Sequence, residues 1–362
     1  MIGSEYLSSK NWTVSLLSVT LFIIVLFGMV QFYLDPLLQY GNERGPLTFR
    51  TYSEIYSNPG IAKNYDYNAV LLGSSMVENT DINELNGIFD CKTIKVTYAG
   101  GSSYNHKKIL DTCYNSGHKI EKVFWALDEY ALRTDKETPR WPLPEYLYDD
   151  NKINDVSYLL NLDIFYYYSL IDSVETLKHN ERKMMCEGVM IGDDSLYGKK
   201  QALASIEYPI EQTNTKGEKL FYSNLLDNLE YNILPFVENH PETDFEFFLV
   251  PYSILYWYQQ KSNGTLEAEI FDARIAIGEL LNYDNVQVHF FQNEKDIITN
   301  LDNFKDYTHF KPEINSWMLE EMKKESHLLT KETYNKVLDD FSEYLKTFDY
   351  SSFYTKQMNN LD

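Results

Sequence analysis

The sequence predicts an α/β protein: a parallel β-sheet with helices on both faces, tied to a membrane by one N-terminal helix. Three observations predict it. Short apolar runs rich in β-branched and aromatic residues read as buried strands. Amphipathic helical segments alternate with several of them. An uncharged stretch runs from Asn11 to Leu34. The chain has 362 residues, of which 44% are hydrophobic and 24% charged, so it can bury a sizeable core and is not a mostly disordered polymer. Acidic residues outnumber basic ones by 54 to 32, a net charge of −22. That balance excludes a nucleic-acid binder, which needs clustered Lys and Arg, and broad adhesion to anionic lipid.

The first element is the membrane span. The run WTVSLLSVTLFIIVLFGMVQFYL is long enough to cross ~30 Å of hydrocarbon as a helix. Trp12 and Tyr33 stand at its two ends, where aromatic rings favour the interface. It is longer than the apolar region of a cleaved signal peptide, and QFYLDP is a poor cleavage site, so an uncleaved anchor is expected. Residues 1–10 are read as a cytoplasmic tail, 11–34 as the anchor and the remainder as extracytoplasmic. Lys10 and the α-amino group precede the span and Glu5 partly offsets them, so the flanking charge is small. Residues 35–60 hold Pro36, Gly41, Gly45, Pro46, Pro59 and Gly60 and read as a juxtamembrane stalk.

Five strands come next. They are Asn68–Leu72 ending at Gly73, Thr93–Tyr98 before Gly100 and Gly101, Lys122–Leu127 before Asp128, Phe245–Val250 before Pro251, and Val286–Phe291. Helical patterns lie at Asn105–Tyr114 and Ala268–Leu281. The interval from about 134 to 235 breaks the rhythm, with Trp-Pro-Leu-Pro at 141–144, Phe165-Tyr-Tyr-Tyr168 and a basic patch at 178–183. It reads as a largely helical insertion, either a lid over a site or a packing subdomain. The α/β domain so defined spans 61–330, and an amphipathic helix and tail occupy 331–362. Cys91, Cys113 and Cys186 show no metal or redox spacing; free thiols are favoured and a single Cys91–Cys113 bridge stays open.

Ligands in parallel sheets bind at the carboxyl ends of strands, and three such ends carry reactive residues. Gly73-Ser74-Ser75 can expose a hydroxyl at a strand-to-helix turn. Gly100 lets backbone N–H groups approach a ligand. Asp306-Tyr307-Thr308-His309, with Pro312 opening a helix, can set a carboxylate against one imidazole nitrogen and leave the other for Ser75.

Together these blocks resemble the SGNH/GDSL esterase superfamily over about Asn68 to Glu320, the insertion excepted. The resemblance implies a flavodoxin-like three-layer α/β/α fold with a five-stranded parallel sheet. It matches Ser75 to the nucleophile, with Ser74 where Asp is usual, Gly100 to an oxyanion donor, and Asp306 and His309 to the rest of a triad. The third block departs: the family has Gly-x-Asn-Asp and this chain has Ala126-Leu127-Asp128-Glu129. An ionised Asp128 only accepts hydrogen bonds and repels developing negative charge. Either Asp128 stays protonated, or it faces elsewhere, or the donor comes from another element, with Asn105 and backbone N–H groups as candidates.

The single anchor, the Gly-Ser-Ser block and the late Asp-x-x-His are also similar to membrane-anchored proteins that decorate bacterial surface polymers. Among these are the D-alanyl-lipoteichoic acid biosynthesis protein D family and alginate O-acetylation proteins. That likeness implies a serine acyltransferase or esterase acting on O-acyl groups of surface polysaccharide or teichoic acid, beside a membrane-bound O-acyltransferase. A non-catalytic glycan-binding or scaffold role is the rival expectation. Nothing in the sequence calls for a cofactor or metal: no GxGxxG opens a helix after the first strand, no GxxxxGK[ST] occurs, and the histidines show no HExxH spacing. A second Gly-Asp-Ser-like block at Gly192–Leu196 places Ser195 inside the insertion and is not favoured as a nucleophile.

Overall fold

The computed structural model describes residues 9–41, 46–179 and 194–361. Most of the expected cytoplasmic tail and of the basic patch, together with Cys186, Gly192 and Asp193, lie outside these residues. The chain divides into two compact units. One holds residues up to Tyr65 and a stretch beginning at Pro144; the other holds Asp66–Leu143 and the chain from Met185 onward.

The first unit begins with α1 (Ser9–Leu34), whose stretch from Asn11 is long and apolar enough to cross a membrane. It stops at Asp35, which adopts a left-handed backbone with φ of 40°. The Asp35 carboxylate accepts hydrogen bonds from the backbone N–H of Gln39 at 2.8 Å and of Tyr40 at 2.9 Å, and from the Tyr158 hydroxyl at 3.0 Å. Arg50 Nη1 donates to the Asp35 carbonyl at 2.5 Å. The stretch expected as a stalk is therefore folded. Leu37 and Leu38 are buried, and α2 (Glu54–Asn64) runs through the boundary placed at residue 60. At Gly60, one of the residues that read as a linker, the backbone is closely packed instead: a Cβ there would lie 2.1 Å from the Leu37 carbonyl oxygen. Short helices at Glu145–Tyr148 and Val156–Leu159 and a continuous helical stretch from Leu162 to His179 complete this unit. Lys63 Nζ donates to the Leu147 and Asp149 carbonyls, and Asp172 accepts from the Thr51 amide and hydroxyl. The first part of the expected insertion thus groups with N-terminal residues, which no local pattern in the sequence announces.

The second unit carries five parallel strands: β1 (Ala69–Leu72), β2 (Thr93–Lys95), β3 (Lys122–Ala126), β4 (Asp244–Leu249) and β5 (Val286–Phe290). Their order is β2-β1-β3-β4-β5. Val70 pairs with Ile94 on one side and Val123 on the other, and Phe247 lies between Trp125 and Val288. All five expected strands are present. β2 is assigned three residues, but amide bonds from Val96 to Leu71 O and from Tyr98 to Gly73 O carry the contact on towards the glycine turn. The strands are apolar on both faces: Val123, Trp125 and Phe247 on one and Leu71 and Phe124 on the other are buried.

The connections are α3 (Ile82–Phe89) after β1, α4 (Ser103–Asn115) after β2 and α5 (Glu129–Arg133) after β3. Arg133 ties α5 to the helix Leu266–Leu280, pairing with Glu269 and, at 3.0 Å, with Asp272. On β2, Lys95 is buried, and its Nζ donates to the carbonyls of Glu78 at 2.6 Å and Thr80 at 3.0 Å. His289 on β5 is a packed residue, bonded at 3.1 Å to Glu246, which also holds Lys122. The C-terminal amphipathic helix runs Tyr334–Thr347 and buries Leu338, Phe341 and Leu345, with Phe341 edge-on to Trp257 at 5.1 Å. A further helix, Tyr350–Asn359, comes after it. Cys91 and Cys113 are free thiols.

Phe247 stacks on Trp125 at 5.4 Å and on Phe245 at 6.1 Å at the middle of the sheet. Phe247→Ala should lower unfolding free energy by about 3–5 kcal/mol. Leu196→Ala, at an exposed position, should stay within about 0.5 kcal/mol. Denaturant titration in detergent micelles measures both.

Candidate active site

The carboxyl edge of the sheet collects the reactive residues. At the end of β1, Gly73 is required twice over: its φ is +155°, and a Cβ there would lie 2.7 Å from Val77 Cγ2 and 2.9 Å from Ala126 Cβ. The chain then turns through Ser74 and Ser75, with the Val77 amide donating back to the Ser74 carbonyl. Residues 74–80 do not form the expected strand-to-helix turn. They make a series of turns, and α3 begins only at Ile82, capped by Asp81. No helix N-terminus therefore sits at Ser75.

Ser75 Oγ lies 2.9 Å from His309 Nε2. On the far side of the ring, His309 Nδ1 lies 2.7 Å from Asp306 Oδ2. The tautomer is set by the carboxylate, which only accepts: Nδ1 carries the proton and donates it to Asp306, and Nε2 presents a lone pair to the Ser75 hydroxyl. The loop holding both residues is locally determined. Asp306 Oδ1 accepts from the amides of Thr308 at 2.8 Å and His309 at 2.7 Å and from the Thr308 hydroxyl at 2.9 Å. The Ser253 hydroxyl, just beyond β4, donates to the Tyr307 carbonyl at 2.7 Å. Pro312 opens the helix Pro312–Lys323 at its first turn, as the sequence suggests.

Burial alone would raise the Asp306 carboxyl. The hydrogen bond and charge of His309, joined by the His309 and Thr308 amides, overcome burial and hold it well below the usual carboxylate range. Asp306 is thus an anion whenever the imidazole works as a base.

The remaining expected residues occupy the same edge with distinct surroundings. Gly100 has φ of +61°, and a Cβ on it would stand 3.8 Å from Arg140 Nε. Asn105 is buried in the first turn of α4 and forms a capping box with Ser102. Its Oδ1 accepts from the Ser102 amide at 3.1 Å, the Ser102 hydroxyl at 3.0 Å and the Arg140 amide at 2.9 Å. Its Nδ2 is buried and has no hydrogen-bond partner. Asp128 is buried, and its Oδ1 accepts the Tyr252 hydroxyl at 2.6 Å. Burial raises its carboxyl above the ordinary value, while the hydroxyl and amide of Ser74, the Tyr252 hydroxyl and the charge of His309 pull it back. Asp128 is turned toward Ser74 and Tyr252, which is one of the three possibilities left open by the sequence.

Sequence reasoning missed several neighbours. His106 is buried close to the Gly73 backbone and accepts from Trp125 Nε1 at 3.4 Å; burial pushes its imidazole down to about 4, so it is neutral. Arg140 is exposed beside Gly100, bonded to the Tyr130 hydroxyl at 3.0 Å and lying over the Trp141 ring at 5.2 Å. Tyr252 lies just past β4. None of these stands in a recognisable motif; only the exposed aromatics flanking an arginine hint at a binding rim. Ser195, the rival nucleophile, sits on an exposed turn at Asp194–Leu196, with two of its block residues outside those described. Among the described residues no group of His, Cys, Asp and Glu is arranged to hold a metal ion.

No family model matches the sequence. No curated protein matches it. Among solved structures, it is similar to one provisionally described as a platelet activating factor from Streptococcus pneumonia, at 15% identity and a TM-score of 0.39, covering 75% of this chain and 91% of that one. A likeness of that size carries no argument, and the geometry above stands by itself.

The two aspartates predict opposite pH responses. The folded Asp306 carboxyl lies below its unfolded value, so its contribution to stability is complete above the unfolded value of about 3.9 and is lost as pH falls through the folded one. Asp306→Asn should therefore destabilise at pH 7 and match the parent in strong acid. The folded Asp128 carboxyl lies above its unfolded value, so ionising it costs stability as pH rises. Asp128→Asn should raise the melting temperature at alkaline pH, with the gain fading toward acid. Thermal melts of the three proteins across pH check both signs.

Proposed function

We propose that this chain is a membrane-anchored serine acyl-transfer enzyme of SGNH type, acting on O-acyl groups of cell-surface polysaccharide or teichoic acid. The observation that carries the reading is the continuous relay from Ser75 Oγ through the His309 ring to Asp306, with contacts of 2.9 and 2.7 Å. A half-buried carboxylate, an oriented imidazole and a hydroxyl in that order are the parts nucleophilic acyl transfer requires.

Ser75 Oγ attacks the acyl carbonyl and its proton passes to His309 Nε2. The tetrahedral intermediate collapses, the leaving oxygen or sulfur of the donor takes that proton, and an ester on Ser75 remains. An acceptor hydroxyl then gives its proton to His309 and attacks the ester, which restores Ser75. Asp306 stays ionised throughout and stabilises the imidazolium. The oxyanion is assigned to the backbone N–H groups of Ser75 and Gly100 and to Asn105 Nδ2, the buried donor that lacks a partner. Arg140, Tyr130 and Trp141 form a cationic and aromatic rim suited to a polyol, sugar or phosphate-bearing acceptor.

In this reading the sheet is layered by helices on both faces and the anchor holds the N-terminus in the cytoplasm. A membrane-bound O-acyltransferase supplies the acyl group from the other side. The reading needs no cofactor.

A second reading, a non-catalytic glycan-binding or scaffold partner of that acyltransferase, draws on Asp128. A carboxylate where an amide donor is usual weakens oxyanion stabilisation.

Ser75→Ala and His309→Ala should each reduce acyl transfer by about 10³-fold or more; Ser75→Ala should keep the parent's melting temperature, while His309→Ala, which strips Asp306 of its partner, should lower it at pH 7. Mass spectrometry of surface glycan from complemented deletion strains reads the transfer. A fluorophosphonate probe should label the parent and not Ser75→Ala. Normal glycan acylation in both variants sinks the enzymatic reading and favours the scaffold.

A further inference from the structure

We infer that residues 153–170 form a second membrane element, a helical hairpin that dips into the leaflet from which the C-terminal end of α1 emerges. The inference rests on the membrane-anchored reading of α1 and goes beyond it.

The alignment with α1 sets the depth. The Phe165 ring meets Phe27 at 4.9 Å, and four residues further along both helices the Ser169 hydroxyl donates to Gln31 Oε1 at 2.6 Å. The two helices therefore run parallel and in step. By that register Leu162 falls beside Ile24, about 15 Å below Leu34 along the helix axis. The preceding turn lies nearer Leu34: a Cβ on Gly28, about 6 Å above Ile24 along the axis, would stand 3.6 Å from Leu160 Cδ2. Between α1 and the stretch 152–160 is a groove of about 470 Å³ whose walls include Ile24, Val25, Ile153 and Val156, together with Lys152. An α1 that spans ~30 Å of hydrocarbon carries the apolar side chains into the lipid with it, while Lys152 Nζ reaches over the Tyr40 ring at 5.9 Å, beyond the end of α1.

Their exposure fits no aqueous role. Ile153 is 87% exposed and Leu162 71%, with Val156, Tyr166, Tyr167 and Leu170 also open. From Ile153 to Leu170 the charged residues are Asp155, which accepts the Tyr40 hydroxyl at 3.0 Å just beyond the end of α1, and Asp163. The lipid that covers the outer face of α1 is continuous with this surface, which identifies the occupant. Tyr166 and Tyr167 lie higher along the register than Leu162, toward the interface where tyrosine is favoured. Asp163 limits the depth, so the hairpin stays in one leaflet.

The backbone is prepared for a solvent that offers no hydrogen bonds. In the turn, the Leu160 amide donates to Val156 O and the Asn161 amide to Tyr158 O. The Asn161 side chain then caps the next helix, accepting from the amides of Asp163 at 2.9 Å and Ile164 at 3.0 Å.

The test uses the full chain with Cys91→Ser, Cys113→Ala and Cys186→Ser, reconstituted alone in phosphatidylethanolamine–phosphatidylglycerol vesicles. Single cysteines are placed by Leu162→Cys, Ile153→Cys, Leu21→Cys and Met358→Cys, and a membrane-impermeant maleimide is loaded on both sides. Leu162→Cys and Ile153→Cys should react about tenfold slower than Met358→Cys in vesicles, and equally fast in SDS. Equal rates in vesicles with Leu21→Cys still protected overturn the hairpin and leave the anchor standing. Labelling of Leu21→Cys as well overturns the anchor itself. Protection in cells but not in vesicles assigns the surface to a protein and overturns the lipid assignment.

Discussion

A parallel sheet delivers the ends of all its strands to one edge, and the candidate site depends on that delivery. Ser75 and His309 are 234 positions apart in the chain, and no local preference can pair them. The ladder does so by fixing β1 inside the sheet and holding β4 and β5 in register beside β3. At the crossing point the tolerance is small. Gly73 has no room for a methyl group against Val77 and Ala126, so β1 and β3 approach as closely as their backbones allow. Ser75 is thereby placed by the sheet rather than by the flexibility of its loop.

Electrostatics then divides the carboxylates of this edge by surroundings rather than by chemistry. Asp306 collects amide and hydroxyl donors and an imidazole, and is held as an anion. Asp128, a few side chains away in character but more deeply buried, meets hydroxyls and an amide and is drawn toward the neutral form. The same residue type thus meets opposite surroundings, one held as a carboxylate against His309 and the other raised above its ordinary value by burial.

Local periodicity and short motifs account for the part of the structure that was legible in the sequence. The five strands were legible because each is an apolar run, and the first four are closed by Gly, Asp or Pro. The Asp-x-x-His loop was legible because its folding is local: Asp306 binds the amides of its own next residues. Partnerships made at a distance were hidden. The Asn105–Arg140 contact, the Tyr252–Asp128 bond and the site of His106 each join segments that carry no mark of one another. The glycines and prolines after α1 were misread for a related reason. They signal departure from regular structure, and only tertiary contact decides whether that departure is a slack linker or, as at Gly60, a tight one. The turn series after Ser75 was likewise invisible, since helix and turn share their residues there.

Lys95 binds the Glu78 and Thr80 carbonyls from the edge strand β2. An ammonium without bulk water on this side of the sheet acts as a rivet through the loop that begins at Ser75. Edge strands fray first in most sheets, yet here fraying would release the segment that carries Ser75 while β1, β3, β4 and β5 stayed intact. The chain therefore couples its weakest strand to its most demanding geometry, so that partial damage is felt as silence at the site long before it is felt as unfolding.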